Sequence, residues 1–142
     1  MKTKKMIYRV ASAAMCLTML GAGAQVFAAT SDSYTGYTHS GELSATITCK
    51  INGFDAILIG TDSCTASTES KPDGVKVFVG LSILNKNGDP INGAGLVSGM
   101  GDVTLKVDSV DRTSAASAVS THVVEDDTYG NFLQLLGCTF NQ

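Results

Sequence analysis

The side chains of this 142-residue chain best equipped for chemistry are four cysteines, two histidines and the acidic run Glu125-Asp126-Asp127. A cysteine thiolate beside an oriented base makes a nucleophile for acyl or glycosyl transfer. Cys64 with His39 or His122 is the candidate pair for a small hydrolase. No family signature surrounds Cys64, and His122 alternates with Ala118 and Val124 in the manner of a partly buried strand face. The reading is therefore no catalytic site. Zinc wants paired Cys-x-x-Cys or Cys/His spacing. Neither occurs, so no metal and no cofactor are expected.

Three further stretches could bind. Hard cations need several convergent oxygens, and Glu125, Asp126 and Asp127 with Asp62 or Asp89 could supply them. The EF-hand spacing fails, because Gly88 falls one place too early after Asn85. An acidic turn in solvent is the simpler reading. Gly93 to Gly101 holds four glycines and resembles a phosphate cradle in composition, but such a cradle must feed a helix N-terminus. Here β-type sequence follows. Ser33-Tyr-Thr-Gly-Tyr-Thr-His39 gathers aromatics, and Tyr34 and Tyr37 are its candidate partner-binding residues, set against a frayed tail or an edge strand.

The elements that must position these groups begin after a leader. Lys2, Lys4, Lys5 and Arg9 precede an apolar run, and Val26 and Ala28 are small residues suited to a cut after Ala28. This is the layout of a secretory signal peptide over 1–28. Gly21, Gly23 and Gln25 interrupt the run short of the roughly 20 apolar residues of a membrane span. Cleavage leaves 114 of the 142 residues, with six basic and thirteen acidic side chains, a formal charge of −7. The basic residues are scattered singly, so neither nucleic acid nor an anionic membrane is an expected partner. Export puts Cys49, Cys64 and Cys138 in an oxidising setting, where one disulfide and one spare thiol are expected. The spare could link two chains into a dimer.

Period-two alternation runs through the rest. Leu43, Ala45, Ile47, Cys49 and Ile51 are apolar between polar neighbours, a half-buried strand. Asn52-Gly53 is a hairpin signal, with a return strand from Phe54 to Ile59. Ser67 to Gly74 reads as a turn. Val75 to Leu84 is the strongest strand, followed by the turn at Asn87-Gly88 and by Pro90, which suggests an edge. Gly93 to Gly101 reads as a loosened connection. Val103 to Val107, Ala115 to Val124 and Phe132 to Phe140 supply further strands. About seven antiparallel strands at this spacing predict an all-β single sandwich over 41–142, preceded by a flexible segment over 29–40. Within it, Asn-Lys-Asn-Gly-Asp-Pro-Ile-Asn-Gly-Ala (85–94) resembles a turn of bacterial immunoglobulin-like modules. The resemblance implies an immunoglobulin-like sandwich and nothing about activity.

A two-residue turn at 52–53 would set Cys49 opposite Ala56 and Cys64 opposite Gly41. That would part the two cysteines by about 26 Å along the strand, far beyond the roughly 4.4–6.8 Å a disulfide tolerates between Cα atoms. Cys138 is then the partner of one of them. Strand parity favours Cys49–Cys138, with Cys64–Cys138 as the alternative. The function expected is that of a secreted, non-catalytic binding domain for an unidentified protein or glycan. A secreted effector, either an inhibitor or an antimicrobial factor, is the second reading and a small hydrolase the third.

Overall fold

Alternation of small or apolar with polar residues carries much of this chain into strands, and in β2 the apolar positions are the buried ones. The computed structural model describes residues 29–50, 62–111 and 113–140. They form β1 (Ser31–Thr38), β2 (Gly41–Lys50), β3 (Asp62–Lys71), β4 (Lys76–Asn85), β5 (Pro90–Met100), β6 (Asp102–Val110), β7 (Ala115–Val124) and β8 (Phe132–Thr139). One sheet has the order β1-β2-β3-β6 and the other β5-β4-β7-β8, with every pairing antiparallel. This is an all-β sandwich. The expected leader over 1–28, the Asn52-Gly53 turn and the strand from Phe54 to Ile59 lie outside the described residues.

The core fills the space between the sheets. Leu43, Ala45, Ile47 and Cys49 alternate inward from β2 with Thr46, Thr48 and Lys50 facing water. Ala45, Ile47, Cys64, Ala66, Val79, Leu81, Ile83, Ala118, Leu136 and Cys138 belong to one cluster spanning both sheets. Each fully buried Leu, Ile or Val there contributes about 1.5–3 kcal/mol over an exposed one. Strand β4 lies inside its sheet and is buried on both faces, as the apolar residues on each side of Val75–Leu84 require.

Four expectations are corrected. β2 pairs with β3 as well as β1, and Cys49 directly faces Cys64 while Lys50 faces Ser63. The tight register that would have set Cys64 against Gly41 does not form. Residues Ser67 to Lys71, read as turn, belong to β3. Its inward positions Cys64, Ala66, Thr68 and Ser70 are small or polar, so the strand lacks the apolar stripe that announces one. Gly93 to Met100 is most of edge strand β5, not a loosened connection, and register shifts between Val79 and Leu81 and between Ile83 and Leu84 absorb its irregularity. Gly93 has φ 154°, and a Cβ there would collide with the Leu81 carbonyl oxygen. Lastly, the segment 29–40, expected to be flexible, carries β1, which pairs along its whole length with β2. The Ala29 and Thr30 carbonyls also accept from Thr139 N–H of β8 (2.9 Å) and Cys49 N–H of β2 (2.7 Å). These few backbone bonds hold a segment with little apolar content.

Candidate functional site

Two connections at one end of the sandwich meet over an open cleft. Between β1 and β2, Ser40 N–H donates to Thr38 Oγ1 (3.1 Å) and Thr38 Oγ1–H donates to the Gly41 carbonyl (3.0 Å). Gly41 has φ 128°, and the Lys71 carbonyl oxygen leaves no room for a Cβ. Between β7 and β8, Asp126 Oδ1 accepts from the backbone N–H groups of Thr128 (2.8 Å) and Tyr129 (2.9 Å), the bonding that lets Asp fold a turn onto itself. Asp126 N–H donates to Asn131 Oδ1 (3.1 Å). The two turns are tied across 86 residues of sequence by Ser40 Oγ–H donating to Asp126 Oδ2 at 2.7 Å. Above that bond the His39 and Tyr129 rings stack, with centroids 4.2 Å apart.

The cleft has a volume of about 470 Å³ and is lined by Tyr37, His39, Asp126, Tyr129, Asn131 and Phe132, among others. Tyr37 is 83% exposed and Tyr129 69%. Tyr34 takes a different part: half-buried, it stacks on Phe132 at 5.9 Å and backs the cleft from the core side. Of the two candidate tyrosines, Tyr37 meets solvent directly. The Asp126 carboxyl sits below the usual carboxylate range, first because Ser40 donates to it, then because Tyr129 and Thr128 do. Through these bonds Asp126 holds the turn, and its carboxylate keeps its negative charge beside the cleft. Among the described residues no three carboxylates converge, so Glu125, Asp126 and Asp127 are not brought together with Asp62 or Asp89.

The opposite end is sulfur. Cys49 and Cys138 form a disulfide joining β2 to β8 and hence one sheet to the other, with Cα atoms 6.0 Å apart. Cys64 remains a thiol, 3.9 Å from Cys49 Sγ. It is buried, so it offers no sulfur to a second chain, and burial pushes its pKa up to about 12. Thiolate chemistry at neutral pH is correspondingly suppressed. His122 is buried as well. Thr68 Oγ1 gives its proton to the Phe78 carbonyl (3.0 Å), so it accepts from His122 Nδ1–H (2.7 Å); Nε2 then accepts from Ser120 Oγ–H (2.6 Å). Both ring nitrogens are engaged, and burial pulls the imidazole pKa down to about 4. His39, stacked at the cleft, lies at the other end from Cys64. The structure therefore assembles neither histidine with Cys64 as a nucleophile and base.

Tyr129, Ser40 and Asn131 did not stand out in the sequence. The polar turn 125–131 was visible, but nothing in linear order places it against 37–40. Comparison with protein-family models and with curated protein sequences returns no match.

Proposed function

We propose that this chain is a secreted, non-catalytic binding domain, and that the cleft between the two turns seats a projecting side chain of a protein partner. The observation that carries the reading is the exposure of Tyr37 and Tyr129 around an open cleft that also holds a carboxylate. Exposed aromatics in a pocket are typical anchors of protein recognition. Aromatic faces beside the Asp126 charge suit a cationic side chain, Arg or Lys, through cation–π attraction. The formal −7 of the exported chain favours the same kind of partner.

Export is supported by the leader and by a disulfide within the core. A cut after Ala28 would leave intact the bonds that Ala29 and Thr30 make to β8 and β2. Strand order supports an immunoglobulin-like reading once β1 is set aside. β2-β3-β6 facing β5-β4-β7-β8 corresponds to strands A-B-E facing C′-C-F-G. The disulfide departs from that pattern, since it joins the first and last of those strands and not B to F.

Titration of labelled protein with Arg-rich, Lys-rich and neutral peptides and with a glycan panel, followed by amide shifts, tests this reading. Expected are shifts confined to 37–40 and 124–132, strongest with cationic peptides, and their loss in Tyr129→Ala. Shifts elsewhere, or with glycans alone, would displace the protein-partner reading.

A further inference from the structure

The three sulfurs form a cluster of a kind that a single structural disulfide does not need. Cys49, Cys64 and Cys138 are all buried, and their Sγ atoms lie within 4.8 Å of one another. Cys49 has two partners in reach. Cys138 holds it now across the sandwich, with Cα atoms 6.0 Å apart. Cys64 faces it on the neighbouring strand, and directly opposed antiparallel residues lie about 4.5–5.5 Å apart. Both separations fall in the range that a disulfide spans.

We propose that the cluster is an internal disulfide switch in which Cys49 exchanges its bond to Cys138 for a bond to Cys64. The Cys64 thiol gives up its proton and its sulfur attacks Cys49 Sγ. The Cys49–Cys64 bond forms as the Cys49–Cys138 bond breaks, and its electron pair leaves on Cys138 Sγ, which takes up the proton. One thiol and one disulfide stand on each side, so no oxidant or reductant is consumed. Burial of all three sulfurs keeps outside thiols away and leaves Cys64 as the attacking group already in place. The cost of ionising Cys64 in the core makes the exchange slow in the resting fold. Its outcome is mechanical: the covalent tie moves from between the sheets to within one of them. The end of β8 is then held to β2 by no covalent bond, and the new link joins β2 to β3 within one sheet.

Mapping of the wild-type protein decides the matter. Folded protein is incubated at mildly alkaline pH, quenched in acid, unfolded, alkylated at low pH and digested. Expected is the appearance of alkylated Cys138 with a Cys49–Cys64 peptide, matched one for one by loss of alkylated Cys64. Thiol among the three cluster cysteines should stay at one per chain, and the exchange should proceed at a rate independent of protein concentration. Alkylation of Cys64 alone at all times, or a rate that rises with concentration, would overturn the proposal. Cys138→Ala, refolded in a glutathione redox buffer, gives a second test. Expected is loss of both remaining thiols into a Cys49–Cys64 link, and a folded variant retaining two free thiols would count against the switch. If that variant does not fold, the wild-type time course stands as the test.

Discussion

The two ends of the sandwich are built from the same strands and have opposite characters. β2 leaves the cleft at Gly41 and reaches the sulfurs at Cys49, about 26 Å further on at the usual strand rise. β8 runs the same way, from Phe132 at the cleft to Cys138. At the sulfur end the three cysteines are buried, and Cys49 and Cys138 are covalently tied. At the cleft end, large aromatics face water, and the two turns are tied to each other by the Ser40–Asp126 bond and a stacked ring pair. The difference separates two tasks: the sulfur end holds the sheets together, which leaves the cleft end free to carry residues that add little to stability.

The comparison breaks first at Cys49. Cys49→Ala combined with Cys64→Ala, which leaves Cys138 no second sulfur in reach, removes the tie between β2 and β8, whose closed loop spans 89 residues. Chain-entropy estimates for a loop of that size are about 4–5 kcal/mol. Thermal and denaturant unfolding should show a loss of that order, while the cleft residues keep their amide shifts where the variant remains folded. A loss under about 1 kcal/mol would mean that packing alone holds the sheets together.

Between the two ends, His122 links stability to pH. Its folded pKa of about 4 lies below the ordinary 6.5, so the folded state favours the neutral ring. The associated stability is complete above pH 6.5, falls as pH drops toward 4 and levels off below. The shift corresponds to about 3 kcal/mol at one proton. Unfolding midpoints measured from pH 7.5 to 3.5 should show this fall, and His122→Gln should flatten it. Equal slopes in the two proteins would remove His122 as its source.

These contrasts explain what the sequence could show. β2 and β4 were legible because apolar alternation is the direct record of a buried face, and Leu43, Ala45 and Ile47 occupy it. β3 was hidden, since an inward face of Cys64, Ala66, Thr68 and Ser70 is closed by its neighbours and by His122, not by its own hydrophobicity. β1 was half legible: an edge strand was one reading of Ser33 to His39, but the order of the segment comes from main-chain bonds to β2. Asn52-Gly53 does not set the register, because Cys49 faces Cys64 on β3, a pairing no two-residue turn signal at 52–53 specifies. The cleft was half legible: both of its segments showed polar and aromatic character, but their meeting depends on the Ser40–Asp126 bond, which only the fold creates.

A smaller effect concerns that bond. The Asp126 carboxyl is lowered by Ser40, Tyr129 and Thr128, so its contribution is present above the ordinary carboxylate pKa and is lost as pH falls through the lowered value. Ser40→Ala should bring the Asp126 titration, followed by carboxyl NMR, back toward its ordinary position and weaken the ring-current shifts between His39 and Tyr129. An unchanged titration would assign the lowering to the turn's own N–H groups.

The smallest effect on stability should belong to the residue placed nearest to function. Tyr37 is 83% exposed at the cleft, and exposed substitutions away from caps and networks usually change stability by no more than about 0.5 kcal/mol. Tyr37→Ala should therefore unfold like the parent, yet bind a cationic peptide at least about tenfold more weakly if its ring contributes the 1.4 kcal/mol or more of an anchor. Tyr34→Ala makes the internal contrast, because Tyr34 packs on Phe132 and against the core, so stability should fall with binding. If Tyr37→Ala destabilises as much as Tyr34→Ala, the exposed ring is part of the scaffold and the division between the two ends is lost. If the two separate, with binding alone lost in Tyr37→Ala and stability lost as well in Tyr34→Ala, the same strand presents one tyrosine to the core and another to a partner.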